Sequence, residues 1–252
     1  MTPAPEETGR LPRASDVSIA YRRRPGKGPT VVFLGGFRSD MTGSKASALD
    51  AHCAARGIAF LRLDYQGHGA SGGAFEDGTI GLWAGDALTA IDALVPDDMV
   101  LVGSSMGGWI MIEAALARPG RVRAMIGIAA APDFTEDLIW NELAADARLA
   151  LEVEGRIVET SAYDGVSFPI TRTLIEDGRR RLRLRAPIAF RGPVRLLHGQ
   201  RDADVPWQRS LLLAERLESD DVRCILVKDG DHRLSRPQDL ALLARIVDET
   251  LG

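Results

Sequence analysis

The segment Met99–Trp109, MVLVGSSMGGW, constrains this chain more than any other stretch. An apolar run, Val100-Leu101-Val102, leads straight into Gly103-Ser104-Ser105-Met106-Gly107, and the residues from Trp109 to Ala117 suit a helix. A G-x-S-x-G pentapeptide between a strand and a helix reads as a nucleophile elbow, a sharp turn that lifts a serine hydroxyl above the end of a sheet. Small residues flank Ser105 because such a turn leaves no room for a Cβ. The turn also aims the Met106 N–H and the start of the next helix at whatever Ser105 attacks. A glycine-rich turn with no chemistry fits the pentapeptide alone equally well, so the partners decide.

A serine hydroxyl needs a base, and for this topology the expected chain order is Ser, then Asp or Glu, then His. Of the four histidines, only His198 and His232 follow Ser105. His198 ends the apolar run Val194–Leu197 and is followed by Gly199-Gln200-Arg201-Asp202-Ala203-Asp204-Val205-Pro206. His232 follows the apolar run Cys224–Val227 and the turn Lys228–Asp231. Two successive strands thus end in loops, the first with aspartates and the second with a histidine. Asp202 is the preferred acid. Asp204 is expected to cap a helix starting near Val205-Pro206, since Asp suits an N-cap and Pro an early helical position. Asp231 is read as a turn residue and His198 as a buried histidine that shapes the acid loop. The oxyanion donors are expected to be the Met106 N–H and the Phe37 N–H, the latter in the Gly35-Gly36-Phe37 loop after the apolar run Thr30–Leu34. This constellation implies acyl transfer to water with neither metal nor cofactor. The rivals are carbon–carbon hydrolysis or peptidase chemistry with the same residues, and a non-catalytic small-molecule binding protein.

The rest of the chain alternates strand-like and helix-like segments, which predicts a mostly parallel sheet with helices on both faces. Ligands bind such sheets at the carboxyl ends of the strands, where all the candidates sit. The rhythm breaks over residues 132–187, which read as a small cap inserted between strands six and seven of a single domain, 1–252. Within it lies the run from Tyr163-Asp164 to Phe168-Pro169. Phe134, Ile139, Trp140 and Phe168 are candidates to line an acyl pocket there, or simply to pack the cap onto the core. The cluster Arg179–Arg185 reads as a solvated helix face, with a basic rim for an anionic substrate as the sharper alternative. Arg38 is a candidate for the same task at closer range.

The net charge of −4 argues against nucleic acid as a partner. Two cysteines, Cys53 and Cys224, lack metal-ligand spacing and read as reduced thiols, which points to the cytoplasm. The first residues lack an apolar core, and Glu6 and Glu7 disfavour a transit peptide. The first dozen residues are expected to be disordered. No apolar run approaches the roughly 20 residues that span a bilayer. The oligomeric state is open.

Several segments carry a narrower resemblance. H-G-x-x-D-x-x-V-P at His198–Pro206 is common after the penultimate strand of α/β-hydrolases. The turn Asp64–Ser71, with His68, is common to many of them and reads as structural. The segments Gly36–Ala46, Gly103–Trp109 with Ala117-Arg118-Pro119, Arg195–Gly199 leading to Val205-Pro206-Trp207, and Gly230–Arg233 are unusual for hydrolases at large. Together they resemble the α/β-hydrolase-domain family of acyl-glucuronide esterases and palmitoyl-protein thioesterases. The resemblance runs from about Thr30 to the C-terminus and is weakest across the cap. It implies the α/β-hydrolase fold, a small ester or thioester substrate, and a triad of Ser105, Asp202 and His232. The lack of a transit peptide points to a bacterial member.

Overall fold

In the computed structural model, which describes residues 4–13, 16–161 and 165–252, the alternation resolves into ten strands and seven α-helices. In chain order they are β1 (Glu7–Pro12), β2 (Ser18–Arg24), β3 (Lys27–Leu34), α1 (Ser44–Arg56), β4 (Ile58–Leu63), α2 (Ile80–Leu94), β5 (Met99–Ser104), α3 (Met106–Ala117) and β6 (Val122–Ile128). They continue with α4 (Ala145–Glu154), β7 (Arg156–Thr160), β8 (Ser167–Thr171), α5 (Arg172–Arg179), β9 (Val194–Gly199), α6 (Gln208–Arg216), β10 (Val222–Val227) and α7 (Pro237–Leu251). Eight strands form one sheet in the order β1-β2-β4-β3-β5-β6-β9-β10. Its β1–β2 and β2–β4 pairs are antiparallel; every pair from β4 to β10 is parallel.

The strand sequences explain the layering. Successive side chains of a strand point to opposite faces. Val32, Leu34 and Leu101 join the cluster under α2, α3 and α6, while Val31, Phe33, Val100 and Val102 join the cluster under α1 and α7. Every residue of β5 is buried, which is why its sequence is a continuous apolar run rather than an alternating one.

Two expectations change here. The first dozen residues are not disordered throughout: Glu7–Pro12 pair with β2, because the carboxylates of Glu6 and Glu7 meet Arg62 and Arg23 at 2.6 and 2.5 Å. Residues 1–3 of that expectation lie outside the described residues. The cluster Arg179–Arg185 is not a solvated helix face. Only Arg179 is helical, and the arginines are paired: Arg179 with Glu136, Arg181 with Asp177, Arg183 with Glu113 and Arg185 with Asp137.

Between β6 and β9 the chain leaves the sheet. A π-helical turn (Thr135–Ile139) and a 3-10 turn (Trp140–Glu142) lead to α4, the β7–β8 hairpin and α5. Tyr163 and Asp164 lie outside the described residues. Both roots of this excursion are tied by one side chain. The fully buried Asp133 carboxylate accepts from the Arg183 N–H at 2.7 Å and the Leu184 N–H at 2.9 Å. Asp133→Ala leaves two backbone donors without acceptors and is expected to cost about 2–4 kcal/mol. Urea unfolding measures this; a variant as stable as the parent would contradict the clamp.

Candidate functional site

The elbow is a backbone problem before it is a chemical one. Ser105 adopts φ 54 and ψ −119, which costs a non-glycine residue on the order of 1–3 kcal/mol. Three hydrogen bonds hold it there. Its N–H donates to Ile128 O at 2.9 Å, and its carbonyl accepts from Gly108 N–H at 2.9 Å and Ala131 N–H at 3.0 Å. The flanking glycines are demanded by contact: a Cβ on Gly107 would lie 2.0 Å from Leu34 O, and one on Gly103 would lie 2.4 Å from Gly107 O. The helix start is thereby pressed onto the end of β3.

Parallel pairing of β9 and β10 brings the other two loops to the same edge, with Val227 opposite Gly199. Their tips are tied by the Arg201 N–H donating to Gly230 O at 2.8 Å. Across this edge His232 Nε2 lies 3.1 Å from Ser105 Oγ, and His232 Nδ1 lies 2.7 Å from Asp202 Oδ2. A carboxylate only accepts, so Nδ1 carries the proton and Nε2 is left to accept from the serine hydroxyl. Asp202 Oδ1 accepts from Asp204 N–H at 2.9 Å and Val205 N–H at 2.8 Å, and Oδ2 also accepts from His198 Nε2 at 3.1 Å. Burial pushes the Asp202 carboxyl up, but the hydrogen bonds from His198 and His232 outweigh it and hold the group well below the usual carboxylate range.

The other candidates divide. Asp204 does not cap α6: that helix begins at Gln208 after Trp207, and Asp204 instead turns with the Asp202 loop. Asp231 is a turn residue, its Oδ1 accepting from Leu234 N–H at 2.9 Å. His198 is buried against the acid loop. His68 is a prop: its Nε2 accepts from the Arg38 N–H at 3.2 Å while Nδ1 faces Gln66 O at 3.2 Å, which holds the Phe37–Arg38 loop. Neither the Phe37 nor the Met106 amide meets a protein acceptor among the described residues. Asp202, Asp204 and His232 bring ligand atoms within 4.8 Å of one another, but two of the three are engaged along the Ser105–His232–Asp202 line. Burial pushes the Cys53 thiol up to about 12, so it is no competing nucleophile.

Ser105 and His232 stand between two cavities. One, of about 550 Å³, is largely apolar and is lined by Phe134, Leu138, Ile139, Leu143, Phe168 and Ile170, with Glu142, Glu159 and Asp204 among its polar residues. The other, of about 330 Å³, is more polar: beside Phe33 and Phe37 it is lined by Arg38, Ser39, Asp40, Lys45, Arg233 and Ser235. Phe134 and Arg38 are therefore at the site. Trp140 is not: its ring is covered by the guanidinium of Arg179 at 4.3 Å and of Arg148 at 5.6 Å, away from the cavity lining. Leu138, Leu143, Ile170 and Lys45 were missed in sequence. The only signal for the first three was their place within the excursion. Nothing in the sequence pairs Lys45 with the His232 loop, although its Nζ donates to Arg233 O at 2.5 Å.

The depressed Asp202 carboxyl has a stability consequence. Its ionised form is favoured in the folded state, so its contribution is full above the ordinary value of 3.8 and is lost as pH falls below it. Asp202→Asn removes that contribution. Its stability deficit against the parent should be largest near pH 7 and shrink below about pH 4 in urea titrations; a deficit that does not depend on pH would contradict this electrostatic assignment.

Comparison with known proteins agrees with this architecture. Residues 28–173 match the family described as serine aminopeptidase, S33. The mitochondrial palmitoyl-protein thioesterase ABHD10 of Mus musculus is 40% identical over 242 residues, covering 96% of this chain and 81% of that one. Among solved structures, a hydrolase of Agrobacterium vitis S4 superposes with a TM-score of 0.94 at 44% identity, covering 98% of this chain and 100% of that one. Mouse α/β-hydrolase domain-containing protein 10 superposes with a TM-score of 0.89 at 40% identity, covering 96% and 97%. No helix among the described residues is long and apolar enough to cross a membrane. The chain has the α/β-hydrolase fold and belongs to the α/β-hydrolase family described as serine aminopeptidase, S33.

Proposed function

We propose that this protein hydrolyses carboxylic esters or thioesters through an acyl-enzyme on Ser105. The observation that carries this is the unbroken line Ser105 Oγ–His232–Asp202, with contacts of 3.1 and 2.7 Å, at the mouth of both cavities. His232 Nε2 takes the serine proton as Oγ bonds to the substrate carbonyl carbon. Asp202 orients the ring and stabilises the imidazolium. The Phe37 and Met106 amides, which meet no protein acceptor among the described residues, receive the oxyanion; such a donor is worth about 3–4 kcal/mol in other hydrolases. As the tetrahedral intermediate collapses, His232 gives its proton to the leaving alcohol or thiol, and water then releases the acid by the reverse sequence. No step calls on a metal or a cofactor.

The two cavities divide the substrate. The apolar one suits the acyl chain and is of ordinary size for a small-molecule site. The other, where Lys45 and Arg233 stand with the Asp40 carboxylate and Arg38 borders both cavities, suits the leaving group, and its excess of cations favours one that carries negative charge. The thioesterase name of the mouse relative supports a long acyl chain; a charged leaving group such as a glucuronate fits the polar side.

The test is kcat/KM across p-nitrophenyl esters from acetyl to palmitoyl. We expect a peak at one chain length and a loss of at least about a thousandfold in Ser105→Ala. Activity that survives the substitution would remove Ser105 from the mechanism. Arg38→Glu should raise KM several-fold more for anionic than for neutral esters; equal effects would contradict the leaving-group assignment.

A further inference from the structure

Asp202 has one more side-chain partner than its pair with His232 requires. Oδ2, the oxygen that receives His232 Nδ1 at 2.7 Å, also receives His198 Nε2 at 3.1 Å. His198 is the penultimate residue of β9 and is fully buried. Its hydrogen bonds fix which nitrogen carries the proton. Nε2 faces two acceptors with nothing to donate, Asp202 Oδ2 and Val205 O at 3.0 Å, so Nε2 is the donor. Nδ1 lies 2.7 Å from the hydroxyl of Ser210, itself buried on α6, and accepts from it. A chain of donors thus runs Ser210, His198, Asp202 and ends on the oxygen that serves His232.

We propose that His198 is a positioning residue for the Asp202–His232 pair, a fixed donor that holds Oδ2 in place and draws off part of its charge, so that it sets how strongly His232 holds a proton. The proposal rests on the Ser105–His232–Asp202 reading above. A packing role alone would need neither the tautomer nor the shared oxygen. Hydrogen bonds to a charged group are among the stronger ones in proteins, and a carboxylate that loses a donor attracts a neighbouring imidazolium more strongly. Other groups face the pair. The Asp204 carboxylate lies with Asp202 and His232 within the same 4.8 Å cluster. Arg233 follows His232 in the chain, with Lys45 on its carbonyl. Asp231 is turned to the Leu234 amide. The Cys224 thiol lies behind Ser210, 3.7 Å from its carbonyl.

The experiment is the pH profile of kcat/KM for one p-nitrophenyl ester in the parent, His198→Leu, His198→Gln and Ser210→Ala. In the parent, the acid limb reports protonation of His232. His198→Leu removes the donor, and the limb should move up by about one pH unit, with a loss of kcat/KM that approaches tenfold on the acid side of the limb and fades above it. His198→Gln returns an N–H to the same oxygen and should recover most of the shift. Ser210→Ala keeps the donor but removes its partner, and should give a smaller shift in the same direction. Asp204→Asn, which takes negative charge away from His232, should move the limb the opposite way. An unmoved limb in both His198→Leu and Ser210→Ala, whatever the loss of rate, would overturn the proposal, as would a Gln variant no better than Leu. If His198→Leu does not fold, Ser210→Ala and His198→Gln carry the test by themselves. Failure of the triad reading would show separately, as parent activity that persists in Ser105→Ala.

Discussion

The site depends on a backbone contact more than on any side chain. The start of α3 comes so close to the end of β3 that no Cβ fits at Gly107, where it would meet Leu34 O at 2.0 Å. That approach forces the turn at Ser105 into a left-handed conformation, φ 54, and hydrogen bonds from β6 and its following loop hold it. Strain of this kind persists only where the surroundings over-determine it. The result is a hydroxyl raised above the sheet, a Met106 amide that meets no acceptor among the described residues, and a helix start beneath both.

The histidine and the aspartate are held by a different device. Both depend on two parallel neighbours, β9 and β10, ending at the same level and having their loops tied to one another. The fully buried Asp202 side chain then collects four donors, which keeps it ionised in spite of its burial. An ionised, fixed carboxylate holds the His232 proton on Nδ1 and leaves Nε2 open to Ser105. The excursion between β6 and β9 adds the walls of the apolar cavity, and its arginines serve that attachment: Arg183 and Arg185 pair with Glu113 and Asp137 at its roots.

The parallel core was legible in sequence because its signals are local. Continuous apolar runs such as Val100–Val102 belong to strands buried on both faces, and the elbow glycines announce a turn too tight for side chains. Ser105, Asp202 and His232 could be singled out because chain order and strand ends restrict the choices to a few residues. What escaped was whatever depends on long-range partners. β1 forms because Glu6 and Glu7 find arginines on β2 and β4, distant in sequence. β7 of the β7–β8 hairpin is mostly exposed, and the hairpin has no strong apolar alternation to reveal it. Trp140 looked like a pocket residue because it is aromatic and lies in the excursion, yet two guanidinium groups cover it. Asp204 followed a helix-cap rule that the actual start at Gln208 does not use.

The nucleophile is the central claim, and the most direct measurement is a fluorophosphonate reaction read by intact mass and peptide mapping. One adduct per chain, mapped to Ser105, lost when the protein is first unfolded and absent in Ser105→Ala, is the predicted result. A folded protein that takes no label, or takes it on another residue, would contradict the assignment of Ser105 and with it the acyl-enzyme mechanism.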